Sequence, residues 1–232
     1  SSCGASGKNP PKAVNGVLDL KGWDFKKDGS LELKGQWRFH WKKITGPGEK
    51  GAIVSVPGAW LNDKLETEKS GYGTYVLEVK GVDKKVDLGI ISPQIFTAYK
   101  MFIVKGTSWK EISRSGRVGK NELESIPELG DFVNPLGSLE KFYLVVQMSN
   151  YHYRYGGFVG VPILGENSQV KRTFTWNQWR DIFTAGVLFI IGFYHLVIYL
   201  QRKKDKAPLY FSLFCGAFFI RIICVGNFAS WI

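Results

Sequence analysis

Residues 182–200 read Ile-Phe-Thr-Ala-Gly-Val-Leu-Phe-Ile-Ile-Gly-Phe-Tyr-His-Leu-Val-Ile-Tyr-Leu, 19 positions without a formal charge. Coiled as an α-helix at about 1.5 Å per residue, this stretch is roughly 28 Å long and matches the hydrocarbon thickness of a bilayer. A second apolar run, from Leu209 to Ile232, follows the short loop 201–208. Two such runs are too long for ordinary core helices, so the sequence predicts transmembrane helices over 182–200 and 209–232. Trp176, Trp179, Tyr199 and Tyr210 flank them, where amphipathic rings favour the membrane interface.

Outward from these runs the composition changes abruptly near Asp181. Residues 1–180 are polar, charged and rich in Gly, and the mean hydropathy of −0.09 averages two unlike parts. The net charge of +11 does not mark a nucleic-acid binder, because Lys is interleaved with Asp and Glu instead of gathered in a stripe. The densest basic cluster, Arg202, Lys203, Lys204 and Lys206, abuts an apolar run. Anionic lipid headgroups are its natural partner. Basic residues in short loops stay on the cytoplasmic side, so this loop is predicted inside and residues 1–180 outside. Within the second run, Arg221 calls for an acidic or carbonyl partner, since a charge at mid-bilayer costs several kcal/mol (roughly 2.5–3.5 on insertion scales). Neither run holds Asp or Glu. That partner is therefore expected on further helices, and the chain reads as a truncated helical bundle. His195 suits an interhelical hydrogen bond or a proton relay.

Residues 15–168 carry strand patterns. Leu31 to Trp41 alternates apolar and polar residues with a break at Gly35-Gln36. Tyr75–Lys80, Val86–Ile91, Ala98–Val104 and Phe142–Met148 do likewise, separated by turn pairs such as Asp28-Gly29, Lys80-Gly81 and Lys105-Gly106. Many short strands with Gly turns predict a mainly β, antiparallel jelly roll or β-sandwich. Residues 1–14 read as a flexible tether, and 169–181 as a juxtamembrane linker. Cys3, in Ser1-Ser2-Cys3-Gly4, suits either a lipidated start or a plain thiol in a loose tail. Cys215 and Cys224 read as small buried hydrophobes.

An ordered series of motifs runs through this region. It comprises Gly16-Val-Leu-Asp-Leu-Lys-Gly-Trp-Asp-Phe25, Leu33-Lys-Gly-Gln-Trp-Arg-Phe-His-Trp41, Val56-Pro-Gly-Ala-Trp60 and Gly71-Tyr-Gly-Thr-Tyr75. It continues with Thr97-Ala-Tyr-Lys-Met-Phe-Ile-Val-Lys-Gly106, Gly116-Arg-Val-Gly119 and Val146-Gln-Met-Ser-Asn-Tyr-His-Tyr-Arg-Tyr-Gly-Gly157. The series resembles the extracytoplasmic domain of bacterial receptors with seven transmembrane helices and diverse intracellular signalling modules. Phe193-Tyr-His-Leu196 and Ala207-Pro-Leu-Tyr-Phe-Ser-Leu-Phe-Cys215 resemble that family's first two helices. More broadly, the sandwich is similar to the galactose-binding-like jelly roll of carbohydrate-binding modules. One departure is Val104-Lys105-Gly106, where the usual turn carries Asn before Gly. The resemblance implies a sensor in the bacterial inner membrane that passes a signal through its helices to a separate output module. It implies no enzymatic activity in this portion.

Candidate ligand residues follow from chemistry suited to sugars: aromatic faces for pyranose rings, planar polar groups for hydroxyls, and glycines for close backbone approach. Asn150, His152 and Arg154 share such a segment, which could equally be a corner joining two sheets. Trp60 and Tyr72 suit a pocket wall or the core, while Trp23, Trp37 and Trp41 read as core. Trp109 follows a turn and suits a contact surface. Arg117 would pair with a ligand acid or a local Glu. No metal or cofactor is expected: His40, His152 and His195 lie in unrelated segments, and the nucleophile-elbow and phosphate-loop patterns are absent from the sequence. Two functions stay open, a sensor for a carbohydrate or other small polar ligand, and an envelope protein-interaction or homodimerisation module. A membrane-anchored carbohydrate-active enzyme is a third.

Overall fold

The computed structural model describes residues 8–60, 68–93, 95, 97–128 and 133–225. They fall into two compact units divided between Lys171 and Arg172. Cys3 lies outside the described residues.

In chain order the first unit holds β1 (Val17–Asp19), α1 (Phe25–Asp28), β2 (Leu31–Glu32), β3 (Gly35–Trp41), β4 (Ala52–Val56), β5 (Gly58–Ala59) and β6 (Gly71–Lys80). There follow β7 (Leu88–Ile91), β8 (Ala98–Lys105), β9 (Ser108–Ser115), β10 (Val133–Gly137), β11 (Phe142–Asn150), β12 (Gly157–Phe158) and β13 (Ile163–Glu166). The large sheet runs β4-β3-β6-β11-β8-β9, and β1 pairs in parallel with the end of β6 that β3 leaves free. The small sheet runs β10-β7-β13-β2, and β12 pairs with β5. This is the expected mainly antiparallel sandwich.

Side-chain alternation explains the assembly. Phe142, Leu144, Val146 and Met148 of β11 point inward beside Tyr75, Leu77 and Val79 of β6 and Tyr99, Met101 and Ile103 of β8. They share one core with Leu31, Leu88, Ile90 and Leu164 of the small sheet. The opposite face of the large sheet is covered too, with Val76, Val104 and Val145 buried against Phe102 and Tyr143. Alternation of apolar and polar residues marked Tyr75–Lys80, Ala98–Val104 and Phe142–Met148 in the sequence, and these lie in β6, β8 and β11. Trp37 sits at the centre, its indole N–H donating to the Leu33 carbonyl at 3.0 Å and its ring edge-on to Phe158 at 5.4 Å. Trp23 and Trp41 are only partly buried, packed against this core.

The stretch Leu31–Trp41 is two strands in different sheets, β2 in the small one and β3 in the large one. The switch occurs at Gly35, whose φ of 122° and whose backbone against Ala13 leave no room for a Cβ. Local alternation is blind to such a crossing. Pro135 lies in β10, at the edge of the small sheet, where a missing N–H is tolerated.

A single helix, α2 (Asn167–Gln201, 35 residues), includes residues 169–181, expected as a linker. Its first turn is clasped to the sandwich. The Asn167 amide donates to the Asp87 carbonyl at 2.8 Å, the Asn167 side chain donates to the Asp87 carboxylate at 2.9 Å, and Val170 is fully buried. The polar stretch 171–181 has no apolar stripe, so periodicity could not mark it as helical. The loop 202–206 leads to α3 (Ala207–Val225). Both helices are long and apolar enough to cross a membrane.

Within the second unit, α2 and α3 pair antiparallel along one seam. Phe189 meets Phe219 with centroids 5.4 Å apart, Gly192 faces the Cys215 Cβ, and His195 lies edge-on to Phe211 at 4.6 Å. Small residues at the middle of the seam let the backbones approach. Cys215 is buried there, whereas Cys224 is exposed, because α3 turns that face away from α2.

Replacing Trp37 by Ala is expected to destabilise the sandwich by about 3–5 kcal/mol, the range for emptying a large aromatic site in a core. A urea titration of the 232-residue chain followed by circular dichroism reads this directly. A loss below about 1 kcal/mol would show that Trp37 does not organise the core.

Candidate functional site

β11 ends at Asn150, opposite Gly71 of β6, and the chain then turns through Tyr151–Tyr155 before β12. Asn150 builds that turn. Its Oδ1 accepts the Tyr153 amide at 3.0 Å, and its Nδ2 donates to the Tyr153 carbonyl at 2.8 Å and to the Lys69 carbonyl at 3.1 Å. An Asn amide can mimic peptide groups in this way, which is why the residue suits a corner. Asn150 is buried with its amide engaged, so it positions the segment.

Loop 116–126 docks beside this corner. Its base is a backbone pair between Arg117 and Ile126. The Ser149 hydroxyl takes the Gly119 amide at 3.1 Å and meets the Ser125 hydroxyl at 2.9 Å. The Tyr151 hydroxyl donates to the Lys120 carbonyl at 2.5 Å, and His152 Nε2 lies 2.8 Å from the Ser125 carbonyl. Inside the loop, Asn121 and Glu124 bond reciprocally, amide to carboxylate at 2.8 Å and backbone to side chain at 3.0 Å. The Lys120 amide also donates to Glu124, at 3.1 Å. That backbone donor, then the Asn121 side chain, hold the Glu124 carboxyl below its usual range. The loop therefore keeps this stabilisation above the ordinary Glu value and loses it as pH falls through the lowered one. Arg117 is exposed, with Nε donating to the Glu124 carbonyl at 3.1 Å. The guanidinium thus reaches the Glu124 main chain.

Tyr72 is half-buried on the outer face of β6, opposite Ser149. Burial first, then the nearby Tyr72, Glu124 and Glu68, push the Tyr151 hydroxyl above its usual range. Beyond them Tyr153, Arg154 and Tyr155 face solvent, with the Arg154 guanidinium over the Tyr155 ring at 5.3 Å. One end of the sandwich thus gathers Tyr72, Arg117, Tyr151, His152 and Arg154, together with exposed phenol faces. Aromatic faces beside donors and acceptors on a rigid corner can stack on and grip a polyhydroxylated ring.

Trp60 lies beneath this end, 2% exposed. Its ring packs 5.1 Å from Trp41 and 6.4 Å from Phe39, and a Cβ on Gly156 would collide with it. It is core and offers solvent no face. Trp109 is the second residue of β9 and is 45% exposed. It contacts Phe102 at 5.5 Å and covers Gly46. It neighbours Val104, itself opposite Tyr143, so it sits about 20 Å along β11 from Ser149 at roughly 3.3 Å per residue. The structure does not bring Trp109 to the corner.

In the helices, His195 Nδ1 is buried without a hydrogen-bond partner among the described residues. Arg221 is exposed on α3. Among the described residues no three His, Cys, Asp or Glu side chains converge as metal ligands. Sequence reading weighed the segment 151–155 as ligand contact or packing, but did not single out Glu124 or Lys120. Their roles arise from the contact of loop 116–126 with the corner, and no local pattern carries that signal.

Residues 178–232 match the model of the family described as 7TM diverse intracellular signalling. That stretch holds the C-terminal part of α2 and all of α3, two helices long and apolar enough to cross a membrane. No curated protein matches the chain. Among solved structures, it is similar to a GH2 beta-galacturonidase from Eisenbergiella tayi bound to galacturonate, at 18% identity and a TM-score of 0.39, over 59% of this chain and 24% of that one. It is also similar to a b-glucuronidase from Ruminococcus gnavus in complex with N1-substituted uronic isofagomine, at 12% identity and a TM-score of 0.43, over 59% of this chain and 29% of the other. The chain thus spans about a quarter of the length of these structures, and likeness at this level carries no weight on function.

Asn150→Ala is expected to lower the stability of the sandwich by about 2–3 kcal/mol, since it strips the Tyr153 and Lys69 backbone groups of their partner. Arg154→Ala should change stability by less than about 0.5 kcal/mol. Paired urea titrations test both; equal losses would mean that the corner is not organised by Asn150.

Proposed function

We propose that this chain is the extracytoplasmic sensor and first two membrane helices of a bacterial receptor. In this reading residues 1–180 lie outside the inner membrane and loop 202–206 lies in the cytoplasm. The corner Tyr151–Tyr155, with Tyr72 and loop 116–126, binds a carbohydrate or another small polar ligand. Further helices and a cytoplasmic output module of the full-length receptor receive the signal, and this portion performs no catalysis.

The observation that carries the reading is connectivity. Only residues 156–166 separate Tyr155 from Asn167, and they include β12 and β13. β13 is an inner strand of the small sheet and runs directly into α2, whose first turn is clasped to Asp87. A ligand that shifts the corner thereby acts on the same short stretch of chain that leads into the helix. A ligand biases such an element only by binding one of its states better than the other.

A second reading has its own observation. Leu123 is 91% exposed at the tip of the hydrogen-bonded turn 121–124. A rigidly presented bare leucine suits an envelope protein partner or a second copy of the chain, because a preorganised contact loses little entropy on binding.

A thermal-shift screen of the 232-residue chain in lipid nanodiscs against mono- and oligosaccharides separates the two. The sensor reading predicts saturable stabilisation by at least one sugar, near 2.7 kcal/mol at a hundredfold excess over Kd, abolished by Arg154→Ala. No shift with any sugar, together with concentration-dependent association that Leu123→Asp removes, would replace it with the interaction module.

A further inference from the structure

His40 lies on the outer face of the large sheet, opposite Thr74 of β6, and is 4% exposed. Its Nε2 makes no hydrogen bond among the described residues. Burying a polar nitrogen without a partner is unfavourable, and burying it charged is far more so. The candidate site and the core make no use of this imidazole.

The chain segment that seals it is the strap 42–51. It leaves β3 at Lys42, which has a φ of 52°, and returns at Gly51 to enter β4. The Gly51 backbone presses on the imidazole: a Cβ there would stand 2.8 Å from His40 Cε1 and 2.9 Å from Nε2. Several contacts hold the strap down, among them the Lys42 amide donating to the Tyr72 carbonyl at 2.9 Å and the Lys42–Glu68 ion pair at 3.1 Å. The Thr74 hydroxyl donates to the Lys43 carbonyl at 2.7 Å and accepts the Thr45 amide at 3.2 Å, and Gly46 lies under the Trp109 ring. A Lys43–Glu49 ion pair at 3.8 Å closes the neck.

We propose that the strap 42–51 is an acid-released latch on the outer face of the large sheet, with His40 as its trigger. A proton taken from solvent at Nε2 converts the ring to an imidazolium whose new N–H has no acceptor. That charge is relieved when the nitrogen reaches water, which requires Gly51 and the strap to lift. Burial, before any charge, already holds the His40 imidazole below its ordinary value, consistent with a neutral ring in the closed form. Glu49 on the strap favours the imidazolium, while Lys43 on the strap and Arg38 on β3 oppose it. Thr74 on β6 and Gly51 at the head of β4 contribute no charge.

The sign follows from linkage. The closed form binds the proton more weakly than the open form, so closure is strongest above about pH 6.5, the ordinary His value, and weakens as pH falls below it. One proton limits the change to about tenfold per pH unit. Opening uncovers the sheet around His40 and Thr74 and frees Trp109 from Gly46.

Amide hydrogen exchange of the 232-residue chain in nanodiscs tests this, with protection corrected for the intrinsic pH dependence of exchange. Between pH 7.5 and 5.0 the opening constant of the Thr45 amide should rise more than twofold, up to a one-proton ceiling of about thirtyfold, while amides of β6 and β11 hold. His40→Phe fills the site without titrating and should flatten the response. Glu49→Gln removes the favourable carboxylate and should enlarge it. His40→Gln serves as a second non-titrating variant if the Phe variant fails to fold. A wild-type change below twofold, an unaltered response in a non-titrating variant, equal loss of protection across the sandwich, or a His40 NMR midpoint at or above 6.5 would each overturn the latch.

Discussion

Among the described residues, eighteen large apolar side chains on α2 and α3 are exposed, including Phe183, Ile190, Phe193, Leu213 and Ile220. At roughly 1 kcal/mol or more each, moving them from water into an apolar environment is favourable by well over 10 kcal/mol. The seam through Gly192 and Cys215 covers one side of each helix and no more. The remaining surface needs lipid or neighbouring helices, and this requirement fixes the environment of everything else. Arg221 sharpens it, because its charge must meet a partner or water inside that environment.

The sandwich answers to a different constraint. Its large sheet is buried on both faces, by the shared core on one side and by Phe102, Tyr143 and the strap 42–51 on the other. Loops at one end are therefore positioned by a rigid scaffold, which is the usual place for recognition. Asn150 illustrates the division of labour: it spends its amide on the turn so that Tyr151, His152 and Arg154 are presented in fixed positions. Loop 116–126 is held in the same manner by Ser149 and Tyr151. The surface gathered there presents phenols, an imidazole and guanidinium groups beside the Glu124 carboxylate.

Much of this was legible in the sequence, for identifiable reasons. The membrane helices stood out because bilayer thickness sets a length that few core helices reach. β6, β8 and β11 stood out because every second side chain of each turns to the shared core, which leaves an alternating pattern. What stayed hidden depends on distant contacts. The switch of sheets at Gly35 is imposed by Ala13, and the helical state of 171–181 follows from elements at both of its ends, with no stripe of its own. Trp60 and Trp109 show the same limit from two sides. Both sit near turns in sequence, yet one is sealed by Gly156 while the other lies over Gly46 at the far end of the sheet. Residue type told that the corner 150–157 was chemically rich; only packing told which members build it and which face outward.

The central claim is that α2 and α3 cross a bilayer with the sandwich on one side and loop 202–206 on the other. Thiol labelling in intact bacterial spheroplasts tests it most directly, using Lys50→Cys and Lys203→Cys in a background with Cys3, Cys215 and Cys224 replaced by Ser. A membrane-impermeant maleimide should label position 50 at once and position 203 only after the membrane is permeabilised. Labelling of both positions in intact spheroplasts, or of neither, would contradict the account.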